Sequence, residues 1–491
     1  MANIDKSRSI FDPRKHYTGV QQQQGRVVTD FDHNDAARIA ADERQHSNLD
    51  VIGGYGSPDD GYRVANIRTV NGQVDFDLLA GTLYLGGLRL ELEDTIAYRA
   101  QPDLLQPTPT DAPIQGARRD LVLLEAFEAP VTAVEDGELL DPALGGADTA
   151  GRMRRFARAH VISSVSATDC DSAWALIEKM MADNQAGSIG AEYRRVVDTR
   201  LTVTYTTDGV DDDLCDPPRA GGYLGAENQA IRVQLVSDRT FTWGYNNASP
   251  AYRVSLSGDR MRVTLITPPR DEYSLPVVGQ VIEILPWGAR LPNGEKIAAL
   301  SGHLTRITAV DPSDDAANGA VTVTLASAVP TAGFENWRDR DDAALLEEEG
   351  VFYFMHIWDR GADVGSEPAI AFTPNTPVTL GTTGIRVTFT GSDYVPEDAW
   401  VIGARPETPN QVLPWHLEDG AAPFAVHRYF APLALIRWNA SRSSAPTVLD
   451  CRPHFRPLTA QNGCCTFTVG DGRRSTGDYN DLALAIANVP D

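Results

Sequence analysis

Residues 30 to 35 read Asp-Phe-Asp-His-Asn-Asp, which places Asp30, Asp32, His33, Asn34 and Asp35 within six positions. Carboxylate, amide and imidazole groups at this density are the types that ligate a divalent cation or exchange a proton. On the calcium-loop template Asp30, Asp32 and Asn34 fill the first, third and fifth positions. The sixth position needs glycine and holds Asp35; the twelfth needs glutamate and holds Ala41. That template fails, and a looser Asp/His site would need ligands from distant parts of the chain. Helix initiation accounts for the same residues. Asp32 can accept a hydrogen bond from a first turn, and Asp35 follows three positions later. Both carboxylates favour the positive end of a helix expected over residues 34 to 49, with Gly53 and Gly54 as its stop.

Other catalytic patterns are missing from the sequence: there is no G-x-S-x-G elbow, no phosphate loop, no H-E-x-x-H and no G-x-G-x-x-G after a strand. His356, within an apolar strand-like run, reads as a satisfied strand histidine rather than a general base. The acidic stretch 208–218 reads as a solvated turn. The five cysteines, Cys170, Cys215, Cys451, Cys464 and Cys465, lack paired zinc-ligand spacing and are expected to be buried thiols. No catalytic, cofactor or metal residue is assigned.

The elements that must hold these residues are mostly short strands. Apolar and polar residues alternate at 230–236, 239–245, 252–256, 260–266, 280–285, 303–310 and 320–326, with turn residues between them. A second β block covers 351–360, 384–391, 398–405 and 428–438. The fold class expected is mainly β, with β-sandwich or small-barrel modules and few short helices. One helix is expected after Asp171 as N-cap, with Ala173, Leu176, Ile177 and Met180 as its core stripe. The segments divide as an extended arm (1–30), a helix plus β unit closed by a Pro-rich linker (31–113), an α+β module (114–220), a sandwich or barrel (221–335), an acidic connector (336–350), a second β domain (351–460) and a terminal cap or linker (461–491).

Composition sets the partners. Among 491 residues, 67 acidic side chains against 43 basic ones give a net charge of -24, which argues against a nucleic-acid partner. All basic residues except Lys6, Lys15, Lys179 and Lys296 are arginine, so many carboxylates are candidates for two-pronged arginine forks. No stretch approaches the roughly 20 apolar residues of a membrane span, and the start lacks a signal-peptide core. Synthesis in the cytoplasm is expected.

An ordered series of segments resembles an uncharacterised bacterial domain family encoded near phage-tail-like contractile injection system genes, whose members often continue into a right-handed parallel β-helix. The series opens with residues 11–36, carrying Asp30, Asp32 and Asn34, and continues through 118–154. Its most specific run lies in 215–236 and 240–249, with Gly222, Tyr223, Glu227, Asn228, Arg232, Trp243 and Asn246; 392–405, 427–436 and 450–458 complete it. The chain departs at His33, where the family usually has tryptophan, and at Trp243-Gly-Tyr-Asn-Asn247, where it has an acidic-aromatic run.

The resemblance implies a structural component of a contractile injection particle, at the baseplate or its periphery, anchoring a fibre, spike or cage element. Expected partners are other particle subunits, with a homo-oligomer, a trimer among the candidates, and a cell-surface glycan as a further candidate. The assembled particle would be intracellular or released. The arm would dock on a neighbour through Phe11, Tyr17 and Phe31. Residues 463–491 end in an amphipathic helix on Leu482, Leu484 and Ile486 that is similar to a β-helix cap, so a longer native chain is expected. Two alternatives are a mounting module for a β-helix polysaccharide lyase or glycosidase, and a carbohydrate-binding module using Trp337, Trp415 or Trp438.

Overall fold

The computed structural model describes residues 4–70, 72–105, 114, 116–206, 221–247, 249–312, 321–334, 350–424, 426–439, 445–456, 469 and 482–483. In chain order the elements used below are α1 (Asp30–Ile52), β1 (Val64–Val70), β2 (Gln73–Leu78), β3 (Gly81–Leu85), β4 (Leu88–Leu92), β5 (Arg118–Val131), β6 (Arg152–Ile162), α2 (Cys170–Asp183), β7 (Arg200–Tyr205), β8 (Gln229–Leu235), β9 (Thr240–Tyr245), β10 (Ala251–Leu256), β11 (Arg262–Leu265), β12 (Val281–Leu285), β13 (His303–Pro312), β14 (Val321–Leu325), β15 (Tyr353–Trp358), β16 (Ile385–Thr390), β17 (Ala399–Ala404), β18 (Arg428–Trp438) and β19 (Thr447–Asp450). The fold is mainly β, as the alternation pattern implies, and the strand-like runs named above fall on strands.

Pairing joins segments far apart in sequence. The strands order as β6-β5-β18-β19 in a four-stranded antiparallel sheet, so a strand from near residue 430 lies beside one from near residue 125. β18 is interior and carries Pro432, which donates no hydrogen bond; the register shifts between Pro432 and Ala434, and this bulge lets the ladder resume. A closed barrel runs β10-β11-β14-β13-β12-β15. β8 and β9 join β17 in a five-stranded sheet, packed on the β7-β16 sheet through Phe241, Trp243, Phe389 and Trp400. Strands of both sequence blocks therefore share the barrel and the sandwich. Residues from β7 to Phe424 form an excursion between two strands of one sheet.

The N-terminal unit packs β1 to β4 on one face of that sheet, where Val122, Leu124, Ala431 and Leu433 share a core with Phe76, Leu83 and Leu85. α2 packs on Leu121, Leu123 and Leu435 through Ala173 and Ile177. Its N-cap is Asp169, not Asp171: the Asp169 carboxylate accepts from the Ser172 amide at 2.8 Å.

α1 starts four residues earlier than the aspartate pattern suggests. Thr29 is the cap and Asp32 the third residue of a capping box, with the Thr29 hydroxyl 2.9 Å from the Asp32 carboxylate. Gly53, at φ 91°, closes it. The helix buries only Asp35 and Ile39, so polar contacts seat it. Gln45 donates to the Gly86 carbonyl at 2.6 Å and Asn48 to the Gly87 carbonyl at 2.8 Å, both in the β3-β4 turn. Both glycines have positive φ, and a Cβ on Gly86 would meet the Tyr429 ring at 2.0 Å.

Candidate functional site

The aspartates of the opening cluster hold the chain's own arm. Asp30 accepts from the Ser7 amide at 2.9 Å and the Ser7 hydroxyl at 2.6 Å. Buried Asp35 accepts from the Ser9 hydroxyl at 3.0 Å and the Ile10 amide at 3.4 Å. Partial burial opposes ionisation of Asp30, yet the Ser7 bonds hold its carboxyl below the usual range. Arg8 lies 4.0 Å over the Phe31 ring and Arg38 4.9 Å over Phe11. The arm also reaches Gly151 through Ile4, and Trp415 through Lys15, 5.6 Å from that ring. Phe11 and Phe31, expected to face a neighbour, are thus half-buried within their own chain, because helix and arm form one clasp. Tyr17 alone of the three anchors projects outward, 62% exposed. His33 and Asn34 are exposed.

Two of the remaining motif residues, Arg232 and Trp243, join the sandwich to the barrel. Buried Arg232 on β8 donates to Gln234 and lies 5.2 Å over the Trp358 ring of β15. Trp358 donates to Glu283 at 3.1 Å, and Glu283 also accepts from the Gly302 amide at 2.9 Å. Burial pushes Arg232 down to about 10, and nearby Glu283 opposes the shift. Trp243 is fully buried, and Arg360 donates to its carbonyl at 2.9 Å. Tyr223 is buried and donates to the Glu227 carbonyl at 3.0 Å, while the Glu227 and Asn228 side chains are exposed.

His356 is a buried strand residue with Ser249 3.3 Å from its Nε2, and burial holds it well below the usual histidine range. Its Nδ1 has no partner among the described residues. Cys170 and Cys451 form a disulfide with Cα atoms 5.4 Å apart. This corrects the reading of both as buried thiols: β18 and β19 return the chain to the start of α2, a proximity that spacing does not reveal. Trp438 is buried and donates to Asp120 at 2.7 Å, so it is core rather than a glycan platform; Trp415 remains half exposed. Trp337, Cys215, Cys464 and Cys465, the acidic stretch 208–218 and the connector 336–349 lie outside the described residues. So do Pro-rich residues 106–113 and, apart from Val469, Leu482 and Ala483, the terminal cap.

Sequence reasoning missed two sites. One is a buried ion network in which Arg428 engages Glu125 and Glu397, His160 lies 3.1 Å from Glu125, and Arg195 meets Asp398 at 3.0 Å. Burial disfavours the Glu125 charge, but Arg428 and His160 hold its pKa far below the usual range. For Asp398 burial outweighs Arg195 and pushes the pKa up to about 6. The other is a cleft of about 540 Å³ where β5 and β6 end, lined by Glu128, Leu139, Arg152, Arg154, Arg155 and Leu291. Its sequence signal is Arg-Met-Arg-Arg at 152–155 in a chain of strong acidic excess.

The cleft offers cationic donors beside apolar side chains, which suits recognition better than bond chemistry. Among the described residues no group of three or more His, Cys, Asp or Glu side chains could hold a metal ion, and no helix is long and apolar enough to cross a membrane. Residues 2–236 match the model of DUF6519, a family of unknown function. The matched stretch covers the arm, α1, the N-terminal unit, β5, β6, α2, β7 and β8; the barrel lies beyond it. No curated protein and no solved structure matches the chain.

Proposed function

We propose that this chain is a structural subunit of a phage-tail-like contractile injection particle, seated at the baseplate or its periphery, where it anchors a fibre, spike or cage element. The observation that carries the reading is the segment between Lys15 and Thr29. The arm before it is clasped to α1 and Thr29 caps the helix, so both ends are fixed. Between them Tyr17 is 62%, Val27 84% and Val28 51% exposed. Apolar side chains held outward on an anchored loop match the needs of subunit docking, because part of the ordering entropy is already spent.

Deletion of residues 1–30 would also remove the Ser7 and Ser9 partners of α1, so a surface variant is the sharper test. Tyr17→Ser, Val20→Ser, Val27→Ser and Val28→Ser together should leave the thermal midpoint unchanged while the protein disappears from purified particles. Particles that retain the variant at wild-type stoichiometry would overturn the docking role.

A further inference from the structure

The geometry points to β6, between Arg152 and Arg155, as a docking edge for an extended peptide strand of another protein that carries acidic side chains. β6 is an outer strand of its sheet, with β5 on one side and no strand on the other among the described residues. Its two halves are treated differently. In the far half the outward amides are capped by side chains: Asp103 accepts from the Ala157 amide at 2.9 Å, and Gln101 accepts from the Ala159 amide at 2.7 Å and donates to its carbonyl at 3.1 Å. Such caps are how an edge is kept from pairing.

In an antiparallel strand every second residue turns both backbone groups the same way. The register against β5 is unbroken from Arg152 to Ile162, so the residues sharing the outward direction of Ala157 and Ala159 include Met153 and Arg155. By this alternation the backbone groups of Met153 and Arg155 face away from β5, no loop or side-chain cap meets them among the described residues, and both residues are exposed beside the cleft. Half of the edge is sealed and half is open.

The side chains around the open half have a surplus of donors. Among the described residues Arg152 bonds only to the carbonyls of Ala150 and Gly151, at 3.2 and 3.1 Å. Arg154 spends Nη2 on Asp103 at 2.6 Å, and its buried Nη1 has no partner among the described residues. Of the carboxylates lining the cleft, Glu128 is paired with Arg155 at 2.9 Å, while Asp136 accepts from the neutral Glu138 amide at 3.2 Å and Asn293 at 3.1 Å, so two carboxylates stand against three arginines. An incoming strand would pair its backbone with Met153 and Arg155. It would place a carboxylate on exposed Arg152, with alternate apolar side chains against Leu139 and Leu291. A second copy of β6 would oppose arginine to arginine, which charge disfavours. The inference holds independently of membership in an injection particle.

Fluorescence anisotropy of the full chain with a labelled Glu-Val-Glu-Val-Glu-Val peptide tests it, with Lys-Val-Lys-Val-Lys-Val as control. The acidic peptide should bind saturably and the basic one should not. Met153→Pro removes an amide that faces outward, which an edge position tolerates, and should weaken binding about tenfold. Arg152→Glu should do the same at an exposed site, and both variants should keep the wild-type melting temperature. Absence of saturable binding, equal affinity for the two peptides, or unchanged affinity in both folded variants would overturn the proposal. So would a wild-type dimer in light scattering that Met153→Pro dissolves, since a second copy would then be the occupant.

Discussion

Arg428 shows how far a single side chain organises this interior. It faces Glu125 on β5 and Glu397 beside β17, so one guanidinium ties the four-stranded sheet to the sandwich. Arg428→Met would leave two carboxylates short of a partner and should cost about 3–5 kcal/mol, because an uncompensated buried charge is the expensive outcome. Urea denaturation of wild type and variant measures it. Glu135 behaves in the opposite sense. It accepts from the Thr132 amide at 2.9 Å and the Ala298 amide at 3.1 Å, but burial pushes it up to about 7 from an ordinary 4.5. A raised carboxyl pKa means that the folded state binds the proton more tightly. Its contribution is fully present below about pH 4.5 and is lost as pH rises through about 7. Stability measured across that window should fall by about 3 kcal/mol from this group, and Glu135→Gln should remove that part of the slope.

At the scale of the element, α1 is a helix defined by its ends and its polar contacts. Asp35→Ala removes the acceptor for the Ser9 hydroxyl and the Ile10 amide. A loss of about 1–2 kcal/mol is expected, together with faster hydrogen exchange over residues 4–12 and unchanged exchange in the barrel. This element also marks what sequence could and could not convey. Alternation located the strands well, since a strand's own residues record which face is buried. The beginning of α1 differs by four residues because Asp32 resembles a cap residue, whereas Thr29 takes that role and Asp32 is the third residue of the helix. Strand partners were invisible: nothing in Arg428 to Trp438 says that its neighbour is Arg118 to Val131. For the same reason the disulfide and the Glu125 network could not be read, and the cleft only as an arginine-rich run. In the sequence Arg232 and Trp243 are only motif positions, and the fold is what places them between two bodies.

The whole molecule is a host unit interrupted by a large excursion. The N-terminal unit, β5, β6, α2, β18 and β19 form the host; the barrel and sandwich are its insertion. Cys170–Cys451 closes the host across 281 positions of sequence. Reduction, or Cys451→Ser, should cost about 2–4 kcal/mol and loosen α2 together with residues 451–456. Differential scanning calorimetry with and without reductant would show the shift, and a protein whose midpoint ignores reductant would exclude a stabilising bridge.

The segment 451–456 lies against the N-terminal unit: Arg452 donates to the Gly61 carbonyl at 2.6 Å, and the Phe455 amide donates to Ser57 at 3.1 Å. A tug on this segment would therefore travel through the covalent bridge to α2, and through β19 and β18 into β5, the long axis of the host. The barrel and sandwich would hang beside that line of tension without carrying it. Pulled from residue 456 against the arm, the molecule should yield first in the host sheet while the barrel stays closed, an order that single-molecule force spectroscopy can read.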